Sequence, residues 1–408
     1  MIHTAFRIAL TSQLVLGVCH GSIANSLFTF DRVVHGDGQA NYSVPYLSNG
    51  VLIYLDNASD SLLQVDNGLV TSMMDTSAPV PNLDEGVLTS VLGTDYTEGV
   101  LALHVQTETN YWGGLSNQSG EWRAIVDTDT TVGSGTETLD WMAYFRTNGE
   151  RFAALARTDT SQFGVYSIEG NQAIALAQPG DPVEGSGSTF DRILTMEYGG
   201  DDITFVADSG ERRNLYRTNV AGEIHAIIET PLRIDSLNAN IERTGVHQTS
   251  NQWTAVRAAL ESGGVPLLLT DRDDNWMSVA HPGVTSVPGM SAVFDEIWAF
   301  EVSDGRLRVA FDGRWEGGMG LFAYFDQRLD CIIKVGDTLD ARTIEAITVS
   351  LVEAGFLDDD QVAFRANFTD GSSGIYVATL VPEPTTATMF AIGLLIVVRR
   401  RRRPDAIR

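Results

Sequence analysis

Lysine is nearly absent from the chain: of 27 basic residues only Lys334 is a lysine, against 53 Asp and Glu, for a net charge of -26. A surface of that sign repels phosphate backbones, which excludes a general nucleic-acid binder. Cysteine is as scarce, because Cys19 and Cys331 alone build neither a disulfide framework nor a cysteine-based zinc site. Catalytic signatures are missing too. The chain holds no Gly-Lys-Ser/Thr phosphate loop, no His-Glu-x-x-His and no Gly-x-Ser-x-Gly nucleophile elbow. Gly185-Ser186-Gly187-Ser188 reads as a turn, and the seven histidines are dispersed. What is present is a 43% apolar chain of 408 residues, enough for one large core or two to three ordinary ones. Its 39 glycines and 12 prolines lean towards turn-rich β structure.

Both ends read as targeting segments. Residues 1–24 carry Arg7, an apolar stretch from Ile8 to Val18, and small residues at Ser22 and Ala24, the pattern of a secretory signal peptide. A lipoprotein signal ending at Cys19 is the alternative, disfavoured by branched Val18 in front of it. Cleavage near Ala24 leaves Cys331 as the one thiol, flanked by Leu329 and Ile332-Ile333 and read as a small core residue.

Residues 381–408 begin Val381-Pro382-Glu383-Pro384, continue with mostly apolar Thr385 to Val398, and end in the run Arg399, Arg400, Arg401, Arg402 and Arg403. At about 1.5 Å per residue the apolar run is short for a bilayer of about 30 Å, so flanking residues must help it span. The arginines would hold its end on the cytoplasmic side. In order and spacing this tail resembles the PEP-CTERM sorting signal of bacterial surface proteins. The resemblance implies transient anchoring in the inner membrane, cleavage near Pro382-Glu383-Pro384 by a membrane-embedded exosortase, and delivery to the cell surface or extracellular matrix. An ordinary tail anchor is the alternative, and it leaves the Pro-Glu-Pro without a purpose.

Residues 25–380 between these ends repeat. A short apolar triplet begins at Leu52, Leu101, Phe152, Ile203, Thr254, Val309 and Val362, spacings of 49 to 55 residues. A second element follows each of the first six triplets, an aliphatic run ending at an acidic or glycine turn, as in Ile332-Ile333-Lys334-Val335-Gly336-Asp337. Each unit of about 51 residues holds four β-type segments, the content of a propeller blade. The N-terminal Arg32-Val33-Val34-His35-Gly36-Asp37 has no triplet before it, and the last triplet and its partner Gly374-Ile375-Tyr376 have nothing after them. The two incomplete pieces complement each other, and pairing them would remove the exposed edges of an open array. The expected fold is an all-β, seven-bladed β-propeller with one blade split between the termini. A β-solenoid and a pair of β-sandwiches are the alternatives. The segment from Val362 to Tyr376 is also similar to the degenerate tandem-repeat ectodomains of bacterial proteins with this sorting tail, a resemblance that implies a location and supplies no catalytic residues.

Strand parity places the acidic turns on one rim with the hairpins that carry Trp112 and Trp315. Tryptophans on glycine-rich loops beside Asp75, Asp127, Asp181 and Asp337 would suit stacking on sugar rings, with carboxylates accepting hydroxyl hydrogen bonds or holding a cation. The plainer reading has the tryptophans covering the core and the aspartates capping their own turns. Trp122 and Trp276 read as blade packing. Asp271 to Asn275 and Asp127 to Asp129 resemble fragments of calcium loops but lack the downstream Gly and Glu, so no cofactor is evident and calcium remains an option. Two functions follow: a non-catalytic surface module binding an extracellular polysaccharide or another surface protein, and a propeller glycosidase or lyase. An axial pocket with converging carboxylates and a basic or aromatic partner would speak for the enzyme, and a plugged channel for the module.

Overall fold

The computed structural model describes residues 27–381 apart from 37–42, 44, 49, 57–58, 60, 67, 76–87, 98, 108–111, 119–120, 160–161, 184–186 and 350–354. The signal-peptide and sorting-tail readings therefore lie outside the described residues, except for Val381 at the boundary. Seven sheets follow one another along the chain, antiparallel apart from a short parallel pairing of Thr131 and Val132 with Gln172 and Ala173. Blade one is Tyr46–Ser48, Val51–Asp56, Ser61–Asp66 and Leu69–Asp75, from the axis outwards. Blade two repeats the order with Leu88–Thr97, Val100–Thr107, Trp112–Ser116 and Arg123–Asp127, and blade three with Leu139–Thr147, Phe152–Thr158, Gly164–Glu169 and Gln172–Ala177. Blades four to six begin with the inner strands Arg192–Gly199, Ala239–Thr249 and Glu296–Val302. Blade seven takes Arg342–Thr348, Gln361–Phe368 and Ser373–Leu380 from the C-terminal end and its outer strand, Phe28–Gly36, from the N-terminal end. The protein is a seven-bladed β-propeller with one split blade.

Every apolar triplet opens the second strand of its blade, not the innermost. The innermost strands are the alternating segments, such as Arg342–Thr348, which the spacing alone places last in each unit. The sequence repeat is thus one strand out of phase with the blade. Parity is unaffected: second-to-third turns and interblade connections share one face, called lower here. Inner-to-second turns lie on the opposite, upper face.

Apolar residues on both sides of each blade have to be covered by its neighbours, and this is where the core sits. Seven buried clusters each draw on two adjacent blades. The cluster that closes the ring packs Val34, Ala363, Ile375 and Val377 of blade seven against Leu47, Leu52, Tyr54 and Val65 of blade one. Cross-strand aromatic pairs recur within it all: Phe205 on Tyr216, Phe311 on Phe322 and Phe364 on Tyr376 stack at 5.5, 5.6 and 5.8 Å between centroids. In blades four and six a third ring, Phe190 or Phe294, meets the pair edge-on at 4.9 or 4.8 Å.

The split blade keeps the shape of the others. Phe28–Gly36 runs antiparallel to Ser373–Leu380, with a bulge between Arg32 and Val34 where the outer strand of every other blade also slips against the third. Phe28 meets Phe325 edge-on at 6.2 Å, and Phe30 meets Phe364 at 6.3 Å. Among the described residues no helix is long and apolar enough to cross a membrane.

Candidate functional site

The lower-face rim is built as a repeated turn. The amides of Gly180, Gly283 and Gly336 donate to the carbonyls of Phe190, Phe294 and Ile344, whose own amides return to Asp181, Thr285 and Asp337. The three glycines sit at φ of +94°, +78° and +90°, a region closed to most side chains. The aspartates serve these turns. Asp181 accepts from the Gln178 amide at 2.7 Å, and Asp337 from the Lys334 amide at 3.1 Å with the Lys334 ammonium at 3.5 Å. Asp127 accepts from the Asp129 amide at 3.0 Å and the Thr130 hydroxyl at 2.9 Å. Asp75 is exposed at the end of its strand.

Trp112 opens the third strand of blade two opposite Gln106, and Trp315 ends the second strand of blade six opposite Gly318, so both mark the same turn of the repeat. Trp315 is half-buried: its indole lies over Gly318, where a Cβ would come within 2.5 Å of it, and meets Phe322 edge-on at 6.0 Å. That is the packing of a cover on the core between blades five and six. Trp122 bridges blades, donating its Nε1 hydrogen to the Met73 carbonyl at 2.8 Å, and Trp276 packs on the core between blades four and five. Asp271 accepts from the amides of Asp273 and Asn275 at 2.9 and 3.0 Å, as a turn cap. Among the described residues no group of three or more His, Cys, Asp or Glu is placed to hold a metal ion.

The chemically richer place is the axis near the upper face. One register position, opposite the second triplet residue, recurs in six blades as Tyr46, Asp95, Arg146, Glu197, Gln248 and Glu301. In blade seven Phe356 takes it, receiving the Ala363 amide at 2.7 Å. Five of these seven side chains are polar, and together with Ser48, Thr97, Thr147, Tyr198 and Thr249 they line an axial cavity of about 150 Å³. Arg146 is 2% exposed and donates from Nε and Nη2 to the Glu197 carboxylate at 2.9 and 3.3 Å, a two-pronged pair that offsets the cost of burying both charges. Its Nη1 donates to the Phe145 carbonyl at 3.3 Å.

Glu301 accepts three consecutive amides from the chain leading into blade seven: Gly355 at 2.6 Å, Phe356 at 2.5 Å and Leu357 at 2.8 Å. The same segment reaches blade one, where Asp358 accepts the Gly50 amide at 2.7 Å. Burial pushes the Glu301 carboxyl up to about 8, against the three amides, which favour its charged form. Asp95 accepts the Thr147 amide at 2.7 Å, and burial lifts it to about 6 despite the pull of Arg146. Below the cavity His247 lies between the hydroxyls of Thr195 and Thr204 at 3.3 and 3.0 Å, and burial lowers it to about 4. His104 in blade two is likewise lowered by burial to about 4. Both imidazoles are neutral at physiological pH.

The candidate residues of the sequence and the axial residues therefore occupy opposite faces. The axial set carries a signal of its own: Asp95, Arg146, Glu197 and Gln248 each lie six residues before the start of a triplet. Glu301 breaks the spacing because the hairpin after it is longer, with Ser303 bonded to Arg308.

A family of unknown function (DUF7453) matches residues 57–388, and the chain belongs to that family. No curated protein matches the sequence. Similar solved structures include a prolyl endopeptidase, 11% identical with a TM-score of 0.48 over 86% of this chain and 51% of that one. The β-propeller domain of the Trilobed protease from Pyrococcus furiosus is 10% identical with a TM-score of 0.49, over 83% of this chain and 95% of that one. Oligopeptidase B from Leishmania major is 12% identical with a TM-score of 0.46, over 82% and 46%. The chain thus spans about half the length of the prolyl endopeptidase and of oligopeptidase B.

Proposed function

We propose that this member of the family is an exported, non-catalytic binding module. It presents the upper-face axial pocket at the cell surface or in the extracellular matrix. Export rests on residues 1–24, and surface delivery on recognition of Pro382-Glu383-Pro384, the apolar run and Arg399 to Arg403 by an exosortase-type enzyme. The observation that carries the reading is the state of the axial carboxylates. Glu197 is spent on Arg146 and Glu301 on three backbone amides, so the oxygens of both are already engaged by the protein. The cavity, at about 150 Å³, is also below the roughly 300–1,000 Å³ of sites that take drug-sized ligands. It takes one small polar group, such as the end of a surface polysaccharide or a side chain of another surface protein.

A polysaccharide-acting enzyme is the second reading, favoured by the convergence of Asp95, Glu197 and Glu301 with Arg146 on one axial pocket. It needs two carboxylates about 5 to 10 Å apart across a bound sugar, both free to act. Incubating the full-length chain with bacterial exopolysaccharides, with and without calcium, separates the two: retention without depolymerisation supports the module, and chain cleavage lost in Asp95→Asn would establish the enzyme. For sorting, Glu383→Ala leaves export intact and traps the full-length protein in the inner membrane. Equal processing of mutant and parent would sink the sorting-signal assignment.

A further inference from the structure

The polar groups around the axial cavity do not balance. Arg146, its one basic residue, is paired with Glu197 and bonded to the Phe145 carbonyl. Asp95 makes no ion pair among the described residues: its carboxylate accepts only neutral donors, the Thr147 amide at Oδ2 and the Thr97 hydroxyl, so its charge is not neutralised locally. Gln248 is 8% exposed, and among the described residues its side-chain amide has no hydrogen-bond partner. The Tyr198 hydroxyl is buried and likewise without a partner among them. Burying polar groups in this state costs about 1–3 kcal/mol each unless something meets them. Asp95 and Gln248 lie on blades two and five and line the same axial cavity. Their oxygens are acceptors and one carries negative charge, so the complementary occupant is a compact cation rich in N–H donors. The net charge of -26 raises the local concentration of such cations.

We propose that the axial cavity binds one primary ammonium group, held by the Asp95 carboxylate and the Gln248 side-chain carbonyl, with the hydroxyls of Thr97 and Thr249 at its edge. This assignment deepens the binding-module reading and rests on it. The occupant is an alkylammonium end, free or carried by a surface polymer or a lysine side chain.

Isothermal titration of the full-length chain with methylammonium chloride tests the assignment. Tetramethylammonium, potassium and calcium chlorides at matched ionic strength are the controls. Methylammonium should bind at one site and raise the melting temperature, while tetramethylammonium, which has the charge without N–H donors, should do neither. Asp95→Asn keeps an acceptor for the Thr147 amide and should weaken binding tenfold or more. Gln248→Met, close in volume, should weaken it several-fold and guards against a folding defect in the first variant. Silence of the parent towards methylammonium, equal binding of tetramethylammonium, or preference for calcium or potassium would each overturn the ammonium assignment. If polysaccharide retention persists in that case, only the ligand class falls. If retention is also absent, the module reading falls with it.

Discussion

Closure of the ring by the N-terminal strand can be tested by replacing residues 27–36 with a glycine–serine segment of equal length, which keeps residues 1–26 and the spacing to blade one. The loss can be built up from the structure. Phe28 and Val34 are 5% and 9% exposed, and Phe28 packs on Phe325 of the neighbouring blade. Truncating a buried phenylalanine costs about 3–5 kcal/mol, so Phe28→Ala alone should remove about 3. Replacing the whole strand also removes the Phe30 contact with Phe364, Val33 and Val34 from the cluster between blades seven and one, and the partner of the Ser373–Leu380 edge. The sum exceeds about 5 kcal/mol, comparable with the whole stability of a typical domain. The unpaired edge should then recruit other chains. Urea denaturation read by tryptophan fluorescence, with light scattering after gel filtration, should show Phe28→Ala as a destabilised monomer and the replacement as an aggregate, rescued by a peptide of residues 27–36 added in trans. A monomeric replacement variant with an unchanged melting temperature would refute the closure argument.

Three further outcomes are expected. Arg146→Ala leaves Glu197 buried without its cation and should cost about 3–5 kcal/mol, whereas Arg146→Met with Glu197→Met should recover most of that loss in the same denaturation assay. Glu301 holds its proton in the folded state up to about pH 8 but releases it near 4.5 when unfolded, so stability should fall by about 2 kcal/mol between pH 6.5 and 8, and Glu301→Gln should flatten that slope. His104 and His247 run the other way: their folded values near 4 lie below the unfolded 6.5, so acidification through that window favours unfolding, and calorimetry of His247→Asn should show a smaller loss.

The fold was legible because a propeller writes itself into the sequence as a period. Triplets from Leu52 to Val362 recur with the blades, and the unpaired Arg32–Asp37 element announces a strand whose partners lie at the other end. The phase was not legible. Both an inner and a second strand read as short apolar runs, and only pairing tells Arg342–Thr348 from Gln361–Phe368. The site is hidden for a related reason: Asp127, Asp181 and Asp337 are conspicuous in the sequence only because they cap turns. Asp95, Arg146, Glu197 and Gln248 share a register position but no residue type, so a search for a repeated letter passes over them.

That variation in letter at a fixed position is what a closed ring permits. Each blade must supply the same apolar faces to its two neighbours, because any blade that failed to do so would open a gap between packed sheets. At one inner-strand position near the upper face, the side chains of five blades line a shared axial cavity instead. Tyr46 and Phe356 pack instead on the cores between blades one and two and between blades six and seven, Arg146 and Glu197 neutralise each other across adjacent blades, and Glu301 ties blade six to the segment entering blade seven. Three of the seven positions are thereby closed by packing or by a latch, and two by an ion pair. Asp95 and Gln248 are left facing the cavity. A propeller needing only stability would carry apolar residues at both. Substituting both Asp95 and Gln248 with leucine should therefore raise the melting temperature while abolishing methylammonium binding, and a fall in stability would show that these side chains hold the ring together instead of serving a ligand.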